Sequence, residues 1–232
     1  MTTFAKIPRR EARSPKSERR IEELLALARE VFAERGFAAA TTAEIAQRAG
    51  VAEATVFSYF GSKRELCIAV VRRWYDELSA ELEAALPAIT GTRERVFFLV
   101  QRHLANLTDD AGLCALILGE GRGVDREFSE LLRDLKRRYT APLMQALRAG
   151  IAAGELRDDA PVALMRDMVY GSMEHVLWGA VASGRKPPLQ STAEALTALL
   201  LDAFAAAPPE LRRLRAFHAE VDAALRRSRR DG

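Results

Sequence analysis

The chain has 232 residues, 49% hydrophobic and 29% charged, with 35 Lys and Arg against 32 Asp and Glu and a net charge of +3. This mixture excludes a highly charged disordered chain, and no apolar run approaches the ~18 residues of a membrane span. The first twenty residues lack the apolar stretch of a secretory signal, and Cys67 and Cys114 lack metal-ligand or CxxC spacing, so a cytoplasmic protein without a metal or other cofactor is expected.

The charge is unevenly spread: residues 1–20 sum to +5, residues 209–232 to +3, and the stretch between them to −5. A basic end suggests a polyanion partner. Behind the basic start, Ile21, Leu24, Leu25, Ala28 and Phe32 form one apolar stripe, which predicts a first helix stopped at Gly36. Thr41 to Glu44 reads as a capping box opening a short helix that ends at Gly50. A second short helix is expected at about 53–59. Ser62 to Glu65 reads as another capping box, opening a long helix through Leu82 that Pro87 stops. Further helices are expected at about 92–107, 111–120, 125–152 (with a possible kink at Pro142) and 160–183. Ser191 to Glu194 reads as a third capping box before Leu196, Leu199, Leu200 and Phe204, and a basic amphipathic helix is expected after Pro209. No segment shows sustained strand alternation, so the fold class is all-α.

Residues 41–60 carry the functional signal. Two short helices that cross sharply need a small residue at the contact, a residue tolerant of positive φ in the turn, and apolar contacts from both helices. Ala46, Gly50, and Ile45, Ala49, Val51 and Val56 meet these needs. The spacing is that of a helix-turn-helix, whose second helix enters the major groove. Here that helix presents Glu53, Ala54, Thr55, Ser58 and Tyr59.

The run from Thr41-Thr42 through Ile45-Ala46, Ala49-Gly50-Val51, Thr55, Phe57, Tyr59-Phe60 and Ser62-Lys63 to Leu66 resembles the DNA-binding domain of the TetR family of bacterial transcriptional regulators. The resemblance implies a basic arm at 1–16, expected to be disordered, a helix-turn-helix DNA-binding domain at 17–66, and a helical ligand-binding and dimerisation domain at 67–232. It also implies roles. Thr42 and Lys63 match phosphate contacts, Thr55 and Tyr59 match base or backbone contacts, and Ala43 and Ala54 offer methyl groups. Three positions depart from the family pattern. Ala52 cannot cap the reading helix as the usual Ser does, Ala54 is a benign replacement for Gly or Pro, and Phe57 lacks the hydroxyl of the usual Tyr.

The larger C-terminal part is less specific. The family builds its dimer interface from the last two helices, for which Gly171, Ser172, Val176, Gly179, Leu199, Leu200 and Phe204 are the candidates here. Effector-lining candidates are Phe97, Leu116, Met144, Met168 and Trp178, with His103, Tyr139, Glu174 and His175 as polar groups beside them, and Arg122 a further polar candidate. The stretch from Leu147 through Gly150 and Gly154 to Arg157, with Glu174-His175 beyond it, is similar to family members that answer to fatty acids or acyl-CoA thioesters. The expected partners are therefore double-stranded operator DNA, a small hydrophobic or acyl-type effector, and a second copy of the chain. Phosphate-loop, HExxH and GxSxG motifs are lacking, which argues against an enzyme. A DNA-binding nucleoid or division factor without a ligand is the runner-up, and a helical partner-binding module the third reading.

Overall fold

The computed structural model describes residues 14–120, 126–208 and single positions between 210 and 226. Most of the basic arm (1–13), Arg122 and much of the expected last helix lie outside the described residues. Nine α-helices follow one another among the described residues: α1 (Pro15–Ala39), α2 (Thr42–Arg48), α3 (Glu53–Phe60), α4 (Lys63–Ala85), α5 (Thr92–Asp109), α6 (Ala111–Glu120), α7 (Arg126–Ala152), α8 (Val162–Ser183) and α9 (Leu189–Phe204). A 3-10 turn at Leu86–Ala88 follows α4 where Pro87 falls. One two-residue antiparallel bridge, Leu156 with Ala205, ties the turn after α7 to the end of α9.

Two helix starts differ from expectation. Helix α1 begins inside the supposed arm, because Ser14 caps it by accepting from Ser17 N at 3.3 Å and Pro15 pre-sets the first turn. Lys16 is therefore helical. Helix α9 begins at Leu189, so Ser191 is not its cap. The Ser191 hydroxyl donates to the Pro188 carbonyl at 3.2 Å, and Glu194 takes the Gln190 amide. At Gly36, φ is +72°, and the backbone breaks from helical geometry before one more turn.

The packing order explains what each helix does. Helix α1 lies against α2, α4 and α6, so the N-terminal three-helix unit is fastened directly to the C-terminal bundle. Helix α4 runs from that unit into the bundle, burying Leu66, Val70, Val71, Trp74 and Leu82 along one stripe. Helix α5 is central, packed by α6, α7, α8 and α9. Apolar contacts continue without a break from Ile21 to Phe204.

Candidate nucleic-acid interface and effector site

The reading unit is held by its buried side. Val51 N donates to the Ala46 carbonyl at 3.0 Å across a turn in which Gly50 has φ +63°. Ile45, Ala46, Val56 and Phe60 are buried between α2 and α3. The opposite side of α3 is left outward: Glu53, Ala54, Phe57 and Ser58 are exposed, and Thr55 and Tyr59 half-buried. Ala43 is exposed at the start of α2. Ala52 makes no side-chain cap bond, so no side chain satisfies the first backbone N–H groups of α3.

Two groups expected on phosphate are already engaged. Thr42 is buried, and its hydroxyl donates to Glu53 Oε1 at 2.5 Å, pinning the first turn of α3 to α2. Lys63 Nζ donates to the carbonyls of Phe37, Ala38 and Ala40 at 2.8, 3.3 and 3.0 Å and sits 4.6 Å from the Phe37 ring centre. An ammonium has three protons, so Lys63 here closes the end of α1. The first capping box is not reciprocal. Thr41 accepts from Glu44 N, but the Glu44 carboxylate takes Arg48 at 2.8 Å.

Lys16, expected in the arm, sits instead on the first turn of α1 beside Arg19 and Arg20. Lys16, Arg19 and Arg20, on the first turns of α1, line a shallow depression of about 350 Å³ together with Tyr59 of the reading helix. This sets positive charge beside α3, where a DNA backbone would pass. The signal was in the sequence: Ser14-Pro15 is a helix start.

The C-terminal candidates divide into two groups. His103 on α5 and Tyr139 on α7 meet, His103 Nδ1 lying 3.0 Å from the Tyr139 hydroxyl. Tyr170 of α8, absent from the sequence candidates, stands edge-on to His103 with ring centres 4.8 Å apart, and Tyr75 of α4 lies edge-on to Tyr139 at 5.8 Å. Leu116 is buried, while Phe97, Met144 and Glu174 are half-buried. Burial pushes the Tyr75, Tyr139 and Tyr170 hydroxyls above their ordinary range and the Cys114 thiol up to about 12. Burial also pushes His103 down to about 3, helped by Lys136. The cluster is therefore neutral at physiological pH.

The second group faces away. Met168, His175 and Trp178 are exposed on α8, on the same side as Gly171 and Gly179, so they are not inside the bundle. Among the dimer candidates, Leu199 is 68% exposed, but Leu200 and Phe204 are buried. Helix α9 packs on α5 through Ala193, Thr197, Leu200, Leu201 and Phe204, which turns those two side chains into the chain's own core. Val176 is half-buried, and the half-buried Ser172 donates its hydroxyl to the Val169 carbonyl at 2.9 Å.

The depressed His103 has a consequence for stability. An unfolded histidine titrates near 6.5, so below that pH the unfolded chain binds a proton that the folded one refuses until about 3. The stability held by neutral His103 is thus complete above about pH 6.5 and lost as the pH falls through that window. His103→Phe is expected to flatten the fall between pH 7 and pH 4, as read by urea melts. Equal slopes for both proteins would reject the assignment.

Comparison with known proteins agrees with this geometry. Residues 24–70 match the family model for bacterial regulatory proteins of the tetR family, and residues 72–203 match that for the C-terminal region of YsiA-like proteins. The chain belongs to the TetR family. The junction between the two matches falls inside α4, the helix that joins the reading unit to the bundle. Relatives of this TetR chain include the fatty acid metabolism regulator protein of Bacillus subtilis, 24% identical over 179 residues that span 77% of this chain and 92% of that one. The nucleoid occlusion factor SlmA of Vibrio vulnificus is 30% identical over 138 residues, 59% of this chain and 70% of that one. The crystal structure of the transcriptional regulator FadR from Bacillus subtilis in complex with stearoyl-CoA shares the fold, with a TM-score of 0.71 and 24% identity over 78% of this chain and 97% of that one.

Proposed function

We propose that this TetR-family chain is a ligand-responsive regulator, acting as a repressor that holds a pseudo-palindromic operator as a homodimer and leaves it when an acyl-type effector binds. Residues 17–66 then form the reading head and residues 67–232 the effector and dimer body. The observation that carries this reading is an unpartnered apolar face. Leu164, Met168, Trp178 and Val181 on α8 and Leu199 on α9 are each more than a third exposed, and Gly171 and Gly179 beside them leave room for a second backbone to approach. A twofold copy seated there sets two α3 helices apart at fixed spacing, as paired half-sites about 34 Å apart require. The effector must bind the two conformations unequally to shift the equilibrium.

Thr55→Ala with Tyr59→Ala is the direct test of the reading helix. The pair removes a hydroxyl and an aromatic phenol from the face of α3 opposite Val56, with the loss of the apolar contact that half-buried Tyr59 makes with the core. Specific affinity for an operator selected from random duplexes is expected to fall to the non-specific level, about a thousandfold or more. The elution volume of the dimer stays unchanged. Operator affinity retained in fluorescence anisotropy rejects α3 as the reading element.

The likeness to SlmA favours a second reading, a DNA-binding factor that needs no effector. The two readings part on one measurement. The effector reading expects lauroyl-coenzyme A to release the protein from its operator, and the second expects no release.

A further inference from the structure

Helix α5 sits at the centre of the C-terminal bundle and would be expected to be apolar on every packed side. It is not. Arg102 Nε and His103 Nε2 are shielded from solvent without a hydrogen-bond partner, and so is Thr197 Oγ1 on α9, which packs against α5, while the buried Asn106 side chain reaches the Tyr139 hydroxyl. A buried polar group left unpaired costs about 1–3 kcal/mol. Native proteins rarely carry several together unless something else pairs with them.

The surroundings indicate what that something is. His103 and Tyr170 lie deep among α4, α5, α7 and α8, yet both keep surface that water can touch. Either tautomer of His103 leaves one half unused: if Tyr139 donates to Nδ1, Nε2 keeps an idle proton, and if Nδ1 donates to Tyr139, Nε2 keeps an idle lone pair. The charges around the cluster are largely spoken for. Arg102 is paired with Glu81 of α4, and Arg166 of α8 with Asp167 at 2.7 Å. Glu174 of α8 adds a negative field at Tyr75 and Cys114, whereas the cluster itself feels Lys136 of α7 at His103, Glu81 and Arg102 at Tyr139, and Arg166 at Tyr170.

We propose that the His103–Tyr139–Tyr170 cluster is the head-group site of the effector and that it takes an uncharged oxygen function, a carbonyl or hydroxyl on an aliphatic chain, in preference to a carboxylate. The proposal rests on the effector reading above and deepens it. A neutral imidazole and phenols offer hydrogen bonds without a net positive charge, so a carboxylate loses its water there without a charge partner in the cluster. An ester or thioester carbonyl costs far less to desolvate and accepts the Nε2 proton in the tautomer in which Tyr139 donates to Nδ1. The cluster thus discriminates an activated acyl group from the free acid.

The test is calorimetric titration of the full chain with laurate, methyl laurate and lauroyl-coenzyme A, repeated on Tyr139→Phe and His103→Phe. Tyr139→Phe removes one oxygen and keeps the ring, so it preserves packing even where the histidine variant does not. Methyl laurate and lauroyl-coenzyme A are expected to bind at least tenfold more tightly than laurate, and Tyr139→Phe to weaken both about tenfold while changing laurate little. Laurate binding as tightly as methyl laurate overturns the proposal and leaves an acyl effector standing. Binding that requires the coenzyme A moiety and ignores Tyr139 overturns it as well. Binding of none of the three overturns the acyl reading and the proposal with it.

Discussion

Gly112→Ala is expected to destabilise the chain and to weaken operator binding, although alanine is the better helix former. By propensity alone, replacing a glycine within α6 would gain about 1 kcal/mol. The site reverses that sign. A Cβ at Gly112 would overlap the Ala33 carbonyl oxygen and lie 2.8 Å from its carbon, and both belong to the backbone of α1, which no rotamer change can move aside. Relief requires α6 and α1 to separate, which undoes their packing. Overpacking of this kind costs about 1–3 kcal/mol and sometimes more, so a net loss of roughly 2 kcal/mol is expected in urea melts.

The same joint is held by a charged clasp. Arg29 of α1 donates to Asp110 through Nε at 3.1 Å and a terminal nitrogen at 2.6 Å, and Trp74 of α4 donates its indole N–H to Asp110 at 3.0 Å. Asp110 lies between α5 and α6, so one carboxylate joins the reading unit, the connecting helix and the effector bundle. Moving α6 off α1 pulls on this clasp and tilts α1, against which α2 and, through it, α3 are arranged. Operator affinity should therefore drop even where the variant remains folded. A Gly112→Ala protein with undiminished stability and unchanged anisotropy would show that α1 and α6 do not make this close contact.

What was legible in the sequence followed from local chemistry. The helix-turn-helix could be read because Ala46, Gly50 and Val56 each answer a local steric demand at fixed spacing. Helix ends at Pro87, Pro161 and Gly184 were legible for the same reason, since proline and glycine act on the backbone they occupy. Long-range partners were not. Nothing near Lys63 announces that its ammonium would close α1 twenty-odd residues upstream, and nothing near Thr42 announces Glu53. On α8 and α9, the apolar stripes are too continuous for sequence alone to say which side faces α5. Leu199 and Leu200 are adjacent and chemically identical, yet one is exposed and the other buried. Tyr170 was missed because a tyrosine among Met168, Val169 and Gly171 reads as an ordinary helix residue until His103 and Tyr139 are brought to it.

That exposed partner supports the second large prediction. Leu199→Glu combined with Trp178→Glu should convert the proposed dimer to a monomer without unfolding it, because both side chains already face outward in the single chain. A face that remains in water accepts a glutamate at little cost, whereas a glutamate buried against a second copy must be desolvated without a partner. Each new carboxylate would also approach its own symmetry mate across a twofold axis, adding like-charge repulsion. Sedimentation velocity is expected to show a monomer at micromolar concentration, with a melting temperature close to that of the parent. The effect on DNA should be larger than that of any single contact. A monomer engages one half-site and falls from the ~10⁻⁸–10⁻¹¹ M of specific complexes toward the ~10⁻⁴–10⁻⁶ M of non-specific ones, a loss of at least about a hundredfold. Charge alone cannot produce this, since α8 and α9 lie on the bundle and not beside α3. A double variant that still sediments as a dimer places the interface on another face, and a monomer with full operator affinity removes the need for a dimer in DNA recognition.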